Sequence, residues 1–329
     1  MELVTSGTQS ILSAFLKEKP FAVGKLGSNE LQMTVCYLLD CDGVGAKESA
    51  LLRYRREVMY NLATGAGIYP CRLGQCYTYV EHLMDKLRDL DYCAIWDSQI
   101  PQLEREIVKS QNPDFTEIGL TDIEPYLSDI PWTYFLRGKK VLVVSCFAET
   151  IEKQYVCRDR IWGGNSILPD FTLKTLYFPH SYYVSQSESV SSDTISRIPI
   201  DTSLSVGGEH VSEEQTIVKN YPSDWHTLLE RTVHRIREID YDVCLIGAGA
   251  YGVPLAVECK RQGKIGIHMG GSLQILFGIR GGRWDANSSF HKFFNEYWVH
   301  PQKHEVPQQA YLIENGCYYG CDTADPKKN

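Results

Sequence analysis

The chain has no CxxC pair among its eleven cysteines, no uninterrupted apolar run approaching eighteen residues, and no excess of positive charge. The scattered cysteines, several of them (Cys93, Cys146, Cys244) inside apolar runs that read as buried strands, behave as small hydrophobes and favour a reducing cytoplasm. The lack of a long apolar run excludes a transmembrane helix, and Met1 to Lys19 has no apolar h-region, so the chain is expected to be soluble and cytoplasmic. With 33 Lys+Arg against 41 Asp+Glu, a net charge of −8 argues against a polyanion-binding surface, and nucleic acid is not an expected partner. The histidines show no metal-ligand spacing, and neither a GxSxG elbow nor a Cys/His pair points to a covalent hydrolase.

What is present is glycine at the ends of apolar runs. Tyr241 to Ile246 reads as a buried parallel strand that empties into Gly247-Ala248-Gly249-Ala250-Tyr251-Gly252 at the start of a helix. Lys264 to Met269 reads as a second strand, and Gly270-Gly271 leads from it into Ser272-Leu273-Gln274-Ile275-Leu276. Such corners expose backbone N–H groups at the positive end of a helix, which suits a phosphate or diphosphate. Arg280, Arg283 and Trp284 follow closely, adding two fixed positive charges and an aromatic face.

The same strand-turn-helix unit recurs along the chain. A helix is expected over Thr8 to Lys17, a strand over Phe21 to Gly24, and a helix carrying Leu31, Val35, Leu38 and Leu39 at helical spacing. Helices at Lys47 to Ala63 and Gln75 to Leu90, strand Tyr92 to Trp96 and helix Gln102 to Ser110 continue the pattern. Strand Lys140 to Ser145, helix Glu149 to Ile161, strand Leu173 to Phe178 and helix Trp225 to Ile239 complete it. The alternation predicts an α/β fold, a doubly wound, mostly parallel sheet with helices on both faces, whose ligands bind at the carboxyl ends of the strands. Residues 1–320 are read as a single domain with a polar insertion near 185–212, either solvated or closing over ligand, and residues 321–329 as a tail.

Three corners carry candidate chemistry. Lys25-Leu26-Gly27-Ser28-Asn29-Glu30 sets a cation, a hydroxyl and a carboxylate on one turn: Lys25 can neutralise a diphosphate, and Glu30 can accept a proton or hold a divalent metal. Ser145 ends a strand and Glu149 lies in the next helical turn, where the pair either contacts ligand or simply caps the helix. Gly247, Gly249, Tyr251, His268, Gly270 and Gly271 form the wall of the two glycine corners, with Arg280 and Arg283 beyond. The GxGxxG pattern also invites an NAD(P)-dependent oxidoreductase, but the next strand ends at His268-Met269 with no acidic residue for a ribose. Glycines that merely let helix and strand pack closely are the structural alternative.

Leu136 to Ser145, Ile246 to Gly252, and His268 to Gln274 continuing through Phe277-Gly278-Ile279-Arg280-Gly281-Gly282-Arg283-Trp284 resemble bacterial and large-virus proteins similar to GT-D-type glycosyltransferases. The resemblance extends from about Phe21 to Tyr318. It implies a Rossmann-like, GT-D-like fold and transfer of a sugar from a nucleotide-sugar donor, a UDP-sugar by preference, to a glycan or glycolipid hydroxyl in polysaccharide biosynthesis. In that class the first strand leads into an Arg-Phe-Gly-Asp-Gly-Glu-like loop whose acidic pair meets a metal and the nucleotide sugar. Glu30 keeps the second acid of that loop, whereas Ser28 stands where the first would be. Mn²⁺ or Mg²⁺ bound through Glu30 is therefore an open expectation, since a metal bridged to diphosphate normally wants one or two carboxylates. Glu30 is the first candidate for a catalytic base and Glu149 the second. A non-catalytic nucleotide-binding protein and a homo-oligomer remain open.

Overall fold

The computed structural model describes residues 7–43, 49–96, 100–164, 167–180, 222–307 and 310–320. The expected polar insertion near 185–212 and the expected tail at 321–329 lie outside them. Seven parallel strands form one sheet: β1 (Ala22–Lys25), β2 (Tyr92–Ala94), β3 (Thr116–Ile118), β4 (Lys140–Ser145), β5 (Thr172–Tyr177), β6 (Val243–Gly247) and β7 (Ile265–His268). Their spatial order is β3-β2-β1-β7-β6-β4-β5. The chain winds outward from β1 to β3, crosses to β4 and β5, and returns through β6 so that β7 lies against β1.

The sheet is buried on both sides, which explains the near-continuous apolar runs in its strands. Leu142 and Val144 of β4 belong to one core, together with α2 (Ser28–Cys41), α3 (Ser49–Ala66), α4 (Leu73–Leu87), α5 (Pro101–Gln111), α9 (Trp225–Glu238) and α10 (Gly252–Arg261). Val141 and Val143 belong to the other, with α1 (Gly7–Leu16), α6 (Leu120–Ile123), α7 (Ala148–Val156) and α11 (Ser272–Leu276). The fold is a doubly wound, Rossmann-like α/β architecture.

Local sequence accounts for the elements. In α9, Asp224 caps the helix by accepting from the Thr227 N–H at 2.8 Å, and Trp225, Leu228, Leu229, Thr232, Val233 and Ile236 repeat at helical spacing on the buried side. Helix α10 lies directly on the sheet because glycine leaves room there. A Cβ on Gly266 of β7 would stand 2.3 Å from the Ala256 carbonyl oxygen, and one on Gly24 of β1 would stand 2.8 Å from Val253 Cγ2.

Several elements differ from the sequence expectation. The edge strand β3 was not expected; it has three residues, two of them exposed, and so lacks an apolar run. The helix expected over Glu149 to Ile161 breaks at Cys157 into α7 and a single turn, α8 (Arg158–Ile161). The helices expected over Lys47 to Ala63 and Gln75 to Leu90 run instead over α3 and α4, each displaced by two or three residues, as element ends commonly are.

Candidate active site

Register places the corners level with one another. Ser145 of β4 pairs with Gly247 of β6, and Ile246 of β6 pairs with His268 of β7. Neighbouring strands β1 and β7 lead into helices on opposite faces, the topology that opens a crevice at the carboxyl ends of an open sheet. A cavity of about 630 Å³ occupies that crevice. Residues following every strand contribute to its wall, and the segment Ile313 to Tyr319 reaches it from the C-terminal region.

Of the residues singled out in the sequence, Lys25, Gly27, Ser28, Glu30, Ser145, Gly247, Gly249, His268, Gly270, Gly271 and Arg283 line this one cavity. Glu149, Tyr251 and Arg280 do not. Glu149 faces outward, salt-bridged to Lys153 at 2.6 Å and hydrogen-bonded with His304 Nε2 at 2.6 Å. Tyr251 is buried in the core behind the corner, where its hydroxyl donates to the Gly67 carbonyl at 2.8 Å. Arg280 turns away to Asp285 at 2.8 Å and rests over the Phe294 ring.

The glycines of the first corner answer to packing. A Cβ on Gly247 would lie 2.9 Å from Leu273 Cδ2 and 3.2 Å from the Gly270 carbonyl oxygen, so the two corners touch. Gly249 has φ +53° and would press a Cβ to 2.8 Å from the Ala66 carbonyl oxygen of α3. At Gly252 a Cβ would stand 1.9 Å from His268 Nδ1. These residues are glycine because β7, α3 and the second corner crowd against them, which is the structural alternative to phosphate recognition. Gly270, with φ +59°, lies beside the end of the Lys25 side chain, its would-be Cβ 3.1 Å from Lys25 Cε.

The corner after β4 is already filled. Glu305 accepts the Glu149 N–H at 3.0 Å, the Thr150 N–H at 3.2 Å and the Thr150 hydroxyl, so the chain's own carboxylate caps α7. Ser145 Oγ accepts the Phe147 N–H at 3.1 Å. Ser145 therefore lines the cavity while its hydroxyl oxygen bonds the turn, and the first N–H groups of α7 face Glu305 rather than a ligand.

Charge concentrates at the β1 and β7 ends. Lys25 makes no ion pair with the described residues, and its ammonium lies 5.7 Å from the Trp96 ring centroid. Glu30 is 7 % exposed and its carboxylate curls back over Gly27, where a Cβ would meet Glu30 Oε2 at 2.3 Å. Burial raises the Glu30 pKa above its ordinary value, opposed by the positive charge of Lys25 and by hydrogen bonds from its own and the Gly27 N–H groups. His268 is pulled down to about 3 by burial and by the neighbouring Lys25 charge, so a neutral imidazole faces the cavity. His180, also on the wall, is pulled down to about 4 by burial.

The expectation of Mn²⁺ or Mg²⁺ at Glu30 fits this donor set poorly. Glu30, Glu124 and Glu314 all line the cavity, but no group of three or more His, Cys, Asp or Glu side chains among the described residues is arranged to hold a metal ion. The Glu30 carboxylate is engaged by the Gly27 turn instead.

Sequence reasoning missed Trp96, Glu124, His180, Glu314 and Tyr318. The position of Trp96 at the end of an expected strand was a usable signal. His180, two residues beyond the expected strand Leu173 to Phe178, carried the same signal, whereas Glu124, Glu314 and Tyr318 lie in segments with neither strand periodicity nor glycine corners, and only the folded chain brings them to the cavity.

Comparison with known proteins agrees with this architecture. Residues 202–276, which include α9, β6, α10, β7 and α11, match the family model of the GT-D fold-like domain. No curated protein and no solved structure matches the chain.

Proposed function

From the premise that this chain carries a GT-D-like domain, a glycosyltransferase-like fold, we propose that it transfers a sugar from a nucleotide-sugar donor, a UDP-sugar, to a hydroxyl of a glycan or glycolipid acceptor. The observation that carries the proposal is the ammonium of Lys25, which makes no ion pair with the described residues and is set beside Gly270 in the same cavity as Glu30. A cation that makes no ion pair with the described residues is available to stabilise the negative charge that develops on a leaving diphosphate. In the transfer step the bond between the anomeric carbon and the diphosphate oxygen breaks, the acceptor oxygen bonds to that carbon, and the acceptor proton passes to Glu30. A carboxylate whose pKa is raised by burial is a stronger base than an exposed one. Metal is assigned no step, because the donor set fits it poorly. The oxidoreductase alternative loses support because β7 ends on a neutral imidazole where a carboxylate would hold the ribose.

The test is a thermal-shift series with UDP-, GDP-, CMP- and dTDP-sugars, with and without Mn²⁺ and beside NAD(P). A UDP-sugar at a hundredfold its dissociation constant stabilises the native state by about 2.7 kcal/mol, a rise of several degrees. Glu30→Gln should bind the donor and lose roughly 10²–10⁴-fold in transfer rate. A folded protein whose melting temperature ignores every nucleotide sugar overturns the proposal, and full turnover by Glu30→Gln removes the base. Activity in the wild type should rise with pH along a limb governed by Glu30, with its midpoint above the ordinary 4.5.

A further inference from the structure

The second cation of the cavity is not free. The Arg283 guanidinium, on α12 (Gly282–Asp285), is salt-bridged to Glu314, and both residues line the cavity. The two side chains are 46 % and 33 % exposed, so a ligand entering the cavity can reach the pair. Arg283 also lies 4.9 Å from the Tyr318 ring centroid and 5.8 Å from that of Trp284. The rings of Trp284 and Tyr318 in turn stand over Gly271, within 3.3 Å and 3.0 Å of where its Cβ would be.

Glu314 reaches this position through an uncommon backbone. Glu314, Asn315 and Gly316 have φ of 47°, 57° and 74°, three successive residues in the left-handed region, two of them with side chains that rarely adopt it. The segment is pinned independently of the ion pair. The Arg283 N–H donates to the Cys317 carbonyl at 2.9 Å, and the Gly282 N–H to the Tyr319 carbonyl at 2.6 Å. Tyr318 Oη donates to Glu314 Oε2 at 3.1 Å. The backbone thus holds Glu314 against Arg283 with or without the carboxylate charge.

We propose that Glu314 is a specificity-determining residue of the cavity: it occupies Arg283 in the ligand-free protein, and a ligand's distal phosphate must displace it. The inference rests on the nucleotide-sugar reading of this site. Lys25, which makes no ion pair with the described residues, can receive one phosphate directly, whereas Arg283 becomes available only to a group that outcompetes a carboxylate already in place. A diphosphate has that second phosphate and a monophosphate lacks it, so the competition weakens diphosphate binding, leaves monophosphate binding untouched, and narrows the preference of the site between the two.

Titration calorimetry of the full chain with UDP, UMP and inorganic pyrophosphate tests it. Glu314→Gln, which keeps the side-chain volume and an acceptor for Tyr318, should bind UDP and pyrophosphate roughly tenfold more tightly than the wild type, the scale of one charge-assisted hydrogen bond. UMP binding should hardly change. Arg283→Gln should weaken both diphosphates, and the double variant should match Arg283→Gln alone, because Glu314 then has no cation to withhold. Circular dichroism of each variant secures its fold. Unchanged or weaker diphosphate binding by Glu314→Gln, or effects of the two substitutions that simply add, overturns the inference. If the wild type still binds UDP-sugars through Lys25 in that case, the nucleotide-sugar reading survives. If none of the three probes binds wild type or variants, both fall.

Discussion

Glu104 shows how far a single buried carboxyl can affect stability with pH. It is fully buried, and neither carboxylate oxygen makes a hydrogen bond of normal geometry to the described residues. Burial pushes its pKa up to about 7, opposed first by the backbone N–H of Trp96 and then by the nearby Lys25 charge. The folded value lies above the ordinary 4.5, so the native state holds the proton more tightly than the unfolded chain. Its contribution to stability is complete below pH 4.5 and is lost as pH rises through about 7. Glu104→Gln should therefore flatten the decline in melting temperature between pH 5 and pH 8, with a gain on the order of 1–3 kcal/mol at the upper end. An unchanged pH profile would show that the proton is not held there. At this scale the sequence was informative wherever a residue follows a strand: Lys25, Glu30 and His268 were all visible from their position after an apolar run. Glu149 satisfied the same rule yet faces outward, because position after a strand does not say which way a helical side chain turns. Glu314 broke the rule, since it reaches the cavity from a segment with no strand before it.

Elements meet in this protein through missing side chains. The α10 helix sits against β1 and β7 at Gly24 and Gly266, while Gly252 at its start admits the His268 ring. Gly252→Ala would drive a methyl group into that ring, and neither α10 nor β7 can retreat, because Gly266 already packs on the Ala256 backbone. We expect a loss of at least about 1–3 kcal/mol in denaturant unfolding, together with a displaced His268 imidazole resonance. A variant as stable as the wild type would mean that the helix start relaxes more readily than the contact implies. Helix α7 offers a parallel case. Glu305→Ala removes the acceptor for the Glu149 N–H, the Thr150 N–H and hydroxyl, and the Gln302 N–H, so a loss on the order of 2–4 kcal/mol is expected, with Glu305→Gln intermediate. The helices and strands themselves were legible from apolar periodicity. The GxGxxG pattern was legible too, but its cause was not: sequence shows that a side chain is missing, and only the fold shows whether a ligand or a neighbouring helix takes the space.

For the molecule as a whole, the cavity lies where two separate apolar cores meet the same sheet ends. One core contains α2, α3 and α10, the other α7 and α11, and residues next to both line the wall. A bound nucleotide should accordingly slow amide exchange on both sides at once, at the Gly27 to Leu31 turn and at the Gly270 to Gln274 turn. Protection confined to one side would place the ligand elsewhere. Among the described residues no helix is long and apolar enough to cross a membrane. The parallel sheet was legible because every strand but the edge strand β3 carries an apolar run. The strand order was not, since β7 joins β1 through contacts far apart in sequence, and local pattern carries no record of them.

The Glu305 carboxylate gives the far end of the chain a structural duty near its middle. Because a side chain contributed after residue 300 completes a helix that begins at Ala148, any protein cut short upstream of Pro301 would leave two amide donors bare at the start of α7. Such a shortened form would gain an adventitious anion seat where the intact protein has none, so phosphate binding by fragments would say little about the donor site of the full chain.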